Sequence, residues 1–577
     1  MTGNMLEVLH KRSIMRHGTC RFLAVCVLVA VLAVAGCATK ELVKPATSEL
    51  QEIAEIPEPA PYMDAKMAMA PPMMVRMPSM QLPPASSGEF NTESYDRLNE
   101  NAFQEVIKNP LSTFSIDVDT ASYTNVRRFI NDGRLPPQDA VRIEELVNYF
   151  TYDYPQPSKG EPFSFTTELT ETPWKSGNRL LLIGLQGVRI PLEKLPPANL
   201  VFLIDVSGSM DEENKLPLLV KSFKLLVGQL RPQDRVAIVV YAGRAGLVLP
   251  STSGSEKHKI LAALDSLHAG GSTAGGQGIE LAYKVARENF IKNGNNRVIL
   301  ATDGDFNVGA SSDAEMERLI EEKRKDGVFL SVLGYGMGNY KDSKMQKLAD
   351  RGNGNYAYID TLLEAKKVLI SQFGGTLMTI AKDVKMQVEF NPAKVKAYRL
   401  IGYEKRMLRT EDFADDKKDA GELGSGHTVT ALYEIVPADG AGAGSRELTY
   451  QTTRVKDSAK ASAELATIRF RYKKPQADVS KELVRKIPAV VTKRDKAGSA
   501  ISFAAAVAEW GMLLRNSEHK GASSYAQVLE LARAAKGPDH EGYRAEFIRL
   551  VEMSELLDGR TKAPLKTNPA DVQTISK

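Results

Sequence analysis

Between residue 199 and about residue 374, short apolar runs alternate with amphipathic stretches, and that rhythm restricts this part of the chain to an α/β fold around a mostly parallel sheet. Strands are expected at 200–204, 235–241, 247–249, 297–301, 328–333 and 356–359. The helical period of 3.6 recurs at 215–230, 256–267, 276–290, 313–325, 343–351 and 362–373. Val201, Phe202, Leu203 and Ile204 leave no polar position, so their strand is buried on both faces. Helices on both sides of such a sheet make a Rossmann-like, doubly wound domain, whose ligand site lies beyond the carboxyl ends of the strands.

The period changes to two on either side of this block. Residues 163–170 and 180–188 flank a turn of Ser176, Gly177 and Asn178 and read as a hairpin; 384–390, 395–400, 429–435, 447–452 and 467–472 return to strand-like alternation. Strands on both sides predict that the block is inserted into a β-sandwich built from 163–190 and 384–472; a plain string of domains is the alternative, and periodicity does not separate the two. Upstream, a helical pattern at 96–107, a strand at 113–118 and helices at 123–131 and 140–150 are expected. From 500 to 557 the chain is helical, with Phe503, Val507, Trp510 and Leu514 on one face. The resulting division is 95–155 helical, 156–198 hairpin, 199–375 the α/β domain, 384–475 β-rich and 480–577 helical.

All three cysteines of the 577 residues, Cys20, Cys26 and Cys37, precede this body. A structural disulfide and a thiolate zinc site are therefore excluded from it, and the seven scattered histidines lack ligand spacing. Residues 1–36 read as an export signal, a basic stretch followed by an apolar run from 22 to 35 that is short for a membrane span. Leu32, Ala33, Val34, Ala35, Gly36 and Cys37 resemble the bacterial lipobox. That resemblance implies an acylated Cys37 as the mature N-terminus and attachment to the cell envelope. Ala38 then implies the outer membrane in a cell with two membranes, and otherwise the outer face of the plasma membrane. Residues 37–94, rich in proline, alanine and methionine, read as the anchor and a tether. Seven methionines between Met63 and Met80 could bind Cu(I), but the interleaved prolines fit a low-complexity linker better. Lys11, Arg12, Arg16 and Arg21 against Glu7 place +3 of the net charge of +4 in the signal, leaving no footprint for nucleic acid.

At the end of the first strand of the block stand Asp205, Val206, Ser207, Gly208, Ser209 and Met210. A carboxylate and two hydroxyls at alternate positions of a tight loop can face one hard cation. Gly270, Gly271, Ser272 and Thr273 precede a later helix, and Asp303 and Gly304 follow a later strand at the same edge. Together, Asp205, Ser207, Ser209, Thr273 and Asp303 resemble the metal-ion-dependent adhesion site of the von Willebrand factor type A domain. The resemblance implies that Ser207 and Ser209 are direct ligands and that Thr273 is a direct or water-bridged one. It gives Asp205 and Asp303 roles largely through water or hydrogen bonds. It further implies a divalent cation, Mg²⁺ before Ca²⁺ or Mn²⁺, completed by an acidic residue of a protein partner. Ser272 adjoins Thr273 and offers a second hydroxyl. Asp211, Glu212 and Glu213 read as a solvated acidic first turn. Gly334, Gly336 and Gly338 lack the spacing of a dinucleotide loop.

Phe114 to Thr120, an apolar strand ending in Asp117 and Asp119, resembles the nucleophile loop of haloacid-dehalogenase-type phosphatases. Ala121 departs from that pattern, and Ser122 and Arg128 exclude an EF-hand. No nucleophile elbow, P-loop or His-Glu-x-x-His is present, so no catalytic residue is assigned. Lipobox, tether, α/β block and flanking regions resemble bacterial von Willebrand factor type A lipoproteins. The expectation is a membrane-anchored, metal-dependent protein-binding protein that takes no small-molecule substrate. The alternatives are an envelope scaffold with a vestigial metal site and a phosphatase using Asp117 and Asp119.

Overall fold

Alternating apolar side chains in the flanking segments and doubly buried strands in the middle give two separate sheet systems in the computed structural model. It describes residues 93–562 except 272–274, 305–312, 339, 373–374, 376–377, 419, 439–453 and 476. Ser86–Lys577 is one compact unit. The export signal, Cys37, the tether up to residue 92, Thr273 and the strand expected at 447–452 lie outside the described residues; Glu93 and Ser94, expected to belong to the tether, are instead held by Arg128 and by a bridge to Lys341. Among those described, no helix is long and apolar enough to cross a membrane.

In chain order the first elements are β1 (Gln104–Glu105), β2 (Leu111–Ser115), α1 (Ala121–Asn131), α2 (Ile143–Asn148), β3 (Phe163–Glu171) and β4 (Arg179–Gly187). The helix expected at 96–107 does not form. Instead Asn101 donates to the carbonyls of Leu400 and Gly402, and β1 pairs with Tyr398 and Ala397. An open strand edge needs backbone partners, and here that need overrides an amphipathic local pattern.

The α/β block follows as β5 (Ala198–Asp205), α3 (Leu216–Gln229), β6 (Arg235–Tyr241), β7 (Ala245–Ser253), α4 (Lys257–Asp265), α5 (Gly275–Glu288), β8 (Asn295–Thr302), α6 (Asp313–Lys325), β9 (Val328–Gly334), α7 (Asp342–Arg351), β10 (Tyr356–Tyr358) and α8 (Leu362–Lys366). Its sheet runs β10-β9-β8-β5-β6-β7, parallel except for the edge strand β7. Phe202 and Ile204 face a core with Phe223 of α3, while Val201 and Leu203 face Ile279 and Tyr283 of α5. The doubly wound α/β fold is therefore present. The helix expected to reach Phe373 is shorter: α8 ends at Lys366 and passes into a π-turn, Lys367–Ser371.

The rest comprises β11 (Thr379–Phe390), β12 (Val395–Ile401), β13 (Gly421–Gly424), β14 (Thr428–Pro437), α9 (Asp457–Ala461), β15 (Glu464–Lys473), β16 (Lys481–Pro488), α10 (Ser499–Leu514), α11 (Tyr525–Ala534) and α12 (Tyr543–Lys562). Strands from before and after the block pair directly: β4 with β14 over eight positions, and β2 with β11 over five. The block is thus an insertion between two halves of a sandwich, whose sheets are β1-β12-β14-β4-β3 and β13-β11-β15-β16 with β2 on β11. Strand β16 falls where only helix was expected. Its Lys481, Glu482, Arg485 and Lys486 are the charges that protect an exposed sheet edge, and they hid its period of two.

The run Leu180 to Leu185 serves two cores. Leu181, Ile183 and Leu185 enter the sandwich, and Leu180 and Leu182 enter a helical core formed by α1, α2, α10, α11 and α12 around Trp174 and Trp510. Buried ion pairs lock these units to the block. Arg142, 1% exposed, binds Glu145 and, at 2.6 Å, Asp342 at the start of α7. Arg127 joins α1 to Asp360, Glu364 of α8 and Glu546 of α12.

Candidate functional site

Strand order reverses around β5, with β6 on one side and β8 on the other, so the loops leaving β5 and β8 diverge and open a crevice at the carboxyl edge. Asp205 closes β5 and is wholly buried. Its Oδ1 accepts from the Ser207 amide at 2.9 Å and the Ser207 hydroxyl at 2.6 Å. Its Oδ2 accepts from Tyr241 and Thr302, each at 3.0 Å. Four donors fix this carboxylate in one orientation. Burial, against the Ser207 hydrogen bonds and with help from nearby Asp303, raises its pKa to about 6.

The Ser207 and Ser209 hydroxyls lie 3.1 Å apart, the first buried and the second exposed. The loop that leads towards Thr273 is stitched to them: Gly208 donates to the Gly271 carbonyl at 3.0 Å, and Gly270 to the Val206 carbonyl at 2.8 Å. Asp303, wholly buried, follows β8 at the same edge. The structure thus brings Asp205, Ser207, Ser209 and Asp303 together, with the Gly270–Gly271 backbone beside them. Thr273 itself is outside the described residues.

Sequence reasoning missed Lys215. Its side chain is 4% exposed, and its ammonium donates to the Ser209 carbonyl at 2.9 Å while lying 3.4 Å from Asp303 Oδ2 and 3.0 Å from Glu212 Oε1. The stem runs over Gly336, whose φ is +73° and where a Cβ would come within 2.5 Å of Lys215 Cε. The glycines after β9 therefore make room for a lysine. A lysine ten positions after Asp205 reads in sequence as a solvated helix start; only the packing of Gly336, just after β9, against its stem reveals the burial. Glu212 is tied to that lysine, whereas Glu213 is 89% exposed and solvated.

Two carboxylates and two hydroxyls form an oxygen-only donor set that fits a hard divalent cation. The same corner already attracts a positive charge, the Lys215 ammonium. Among the described residues no cluster of three histidines, cysteines or acidic residues offers another metal site.

Asp117 and Asp119 are committed elsewhere. Arg406 reaches Asp117 at 3.0 Å, Asp119 at 2.9 Å and Asp350 of α7 at 3.0 Å, and the Tyr356 amide donates to Asp119 at 3.0 Å. One buried guanidinium thus cross-links the exit of β2, the block and the loop after β12. This arrangement accounts for both aspartates without a reaction.

Three family models match the chain in succession: von Willebrand factor over residues 89–182, the von Willebrand factor type A domain over 199–372, and the C-terminal region of uncharacterized protein YfbK over 375–557. Uncharacterized protein YfbK of Escherichia coli is 47% identical over 471 residues, covering 80% of this chain and 81% of the relative. Among solved structures, a von Willebrand factor type A protein from Catenulispora acidiphila is 15% identical with a TM-score of 0.36, covering 67% of this chain and 89% of that one. The ArnB paralog VWA2 from Sulfolobus acidocaldarius is 14% identical with a TM-score of 0.34, covering 69% and 98%. Domains of the type A family generally mediate protein–protein contacts and commonly hold a divalent metal. With near-half identity over four-fifths of its length, the chain belongs to the YfbK family of bacterial von Willebrand factor type A proteins.

Proposed function

We propose that this protein is a membrane-anchored binding or scaffold protein that captures an acidic residue of a protein partner through a divalent metal, Mg²⁺ by preference. Asp205, Ser207, Ser209, Thr273 and Asp303 would hold the metal, and Cys37 would carry the lipid. The supporting observation is the prearranged corner: a carboxylate held by four donors, with two hydroxyls 3.1 Å apart and a second buried carboxylate beside it. When bound, such a cation supplies a coordination position open to a partner's carboxylate. The chain's own part is to fix Asp205 through Tyr241 and Thr302 and to present Ser209 at the surface. Two carboxylates and neutral hydroxyls would leave the metal under-coordinated by protein, so a partner's carboxylate can complete it.

The test is titration calorimetry of Mg²⁺ and Ca²⁺ against a soluble form starting near Thr92, comparing wild type, Asp205→Ala and Ser209→Ala. Metal heat in the wild type that both variants lose supports the reading. An absence of binding at millimolar metal would overturn it and leave the scaffold alternative. Lipid attachment is tested separately, by metabolic labelling with a fatty acid in wild type and Cys37→Ser.

A further inference from the structure

Arg297 stands at the opposite edge of the same sheet, six residues before Asp303, paired with Leu200 of β5 and Phe329 of β9. It is 3% exposed, yet among the described residues it has no carboxylate within ion-pairing distance. Among the described residues its one hydrogen bond runs from Nη1 to the Ser331 hydroxyl at 2.7 Å; its Nε is buried without a partner, and the guanidinium carbon lies 5.6 Å from the Phe329 ring. Every other buried arginine among the described residues, Arg127, Arg128, Arg142, Arg399 and Arg515, pairs with at least one carboxylate. A guanidinium removed from water without an anion is costly, so its retention in a β-strand asks for a counterion.

The side chain borders two cavities between the block and the sandwich, of about 270 and about 650 Å³. The larger one is also lined by Lys292, Arg324, Lys325 and Lys382. Lys292, Lys325 and Lys382 make no ion pair among the described residues. Among the described residues two carboxylates face this cavity, and both are engaged: Asp383 lies 2.7 Å from Lys473, and Glu422 accepts from Asn353 at 3.3 Å. Burial holds the Arg297 pKa down to about 10, with Glu422 opposing, the direction expected for a cation lacking a close counterion.

We infer that the cavity between the α/β block and the sandwich is a binding site for a small soluble oxyanion, phosphate- or carboxylate-bearing, gripped by Arg297 at its floor and steered by Lys292, Lys325 and Lys382. The planar fork of a guanidinium suits two oxygens of one such group. The larger cavity has the volume of ordinary small-molecule sites. The site is independent of the metal corner and joins the inserted block to its host sandwich, so an occupied cavity ties the two together.

The full chain is heated in the presence of inorganic phosphate, pyrophosphate or citrate, each against potassium chloride at matched ionic strength, and binding is measured by calorimetry. In the wild type at least one oxyanion raises the midpoint above the chloride control; phosphate against citrate identifies the preferred headgroup. Arg297→Met is as stable as wild type or more so in chloride and loses the oxyanion-specific rise. Lys382→Ala keeps the wild-type midpoint in chloride and binds the same anion several-fold more weakly. The inference is overturned if no oxyanion raises the wild-type midpoint, if Arg297→Met responds like wild type, or if that variant is markedly less stable in chloride, which would make Arg297 a structural residue.

Discussion

Replacing Lys215 by Met tests whether a tethered ammonium guards the metal corner. Met retains most of the stem that fills the space over Gly336 and removes only the charge. At 3.4 Å the Lys215–Asp303 attraction is about 5 kcal/mol gross for an effective dielectric of 20. Desolvation of both buried groups reduces this to the roughly 1.5–3 kcal/mol net that charged hydrogen-bonded pairs contribute. Lys215 must release Asp303 before another cation can use that oxygen. The variant is therefore expected to bind Mg²⁺ more tightly by roughly 10- to 150-fold, the same free energy expressed as an affinity ratio. Its metal-free form loses stability because Asp303 gives up its contact with the Lys215 ammonium, and added Mg²⁺ restores more than it does in the wild type. Calorimetric titration gives the affinities, and urea unfolding with and without Mg²⁺ gives the linkage. A variant that binds Mg²⁺ no more tightly than wild type would refute the argument that Lys215 and the metal compete for one position.

Three further outcomes follow from the packing. Arg142→Met strands Glu145 and Asp342 without their cation and should cost about 3–5 kcal/mol in urea unfolding; a loss below about 1 kcal/mol would show that the pair contributes little. Gly354→Ala should lower the soluble yield and the thermal midpoint, because its Cβ would lie 1.7 Å from the Leu330 carbonyl oxygen; a wild-type midpoint would contradict the close approach. Glu509 is wholly buried, and burial raises its pKa from 4.5 to about 7 against a hydrogen bond from Ser523. The folded state then holds a proton that the unfolded state gives up above pH 4.5, so stability falls between pH 4.5 and 7 and levels off above 7. Glu509→Gln should remove that slope and gain up to about 3 kcal/mol at pH 8, with no gain at pH 4, as read from urea midpoints at the two pH values; equal gains at both would refute the assignment.

The α/β block was legible because its physics is local. Val201 to Ile204 must be buried on both faces, the helices between strands carry a 3.6-residue period, and the Asp205–Ser209 loop holds three of its oxygen donors within five residues. What misled were segments whose conformation depends on distant partners. The stretch at 96–107 has a helical pattern yet pairs with β12, nearly three hundred residues away, and β16 conceals its alternation under the charges of an edge strand.

The sequence by itself determined the fold class, the loops that meet at the carboxyl edge and the residue types available there. Tertiary structure alone decided which charges are buried and with whom. Asp117 and Asp119 resemble a reactive pair until Arg406, remote in sequence, is seen between them. Lys215 looks like a solvated helix start until the turn after β9 covers it, and nothing in the strand at 297–301 shows that Arg297 borders the sandwich. The physical reason is that a side chain's charge is written in its own residue, whereas the loss of its water depends on segments brought to it from elsewhere in the chain.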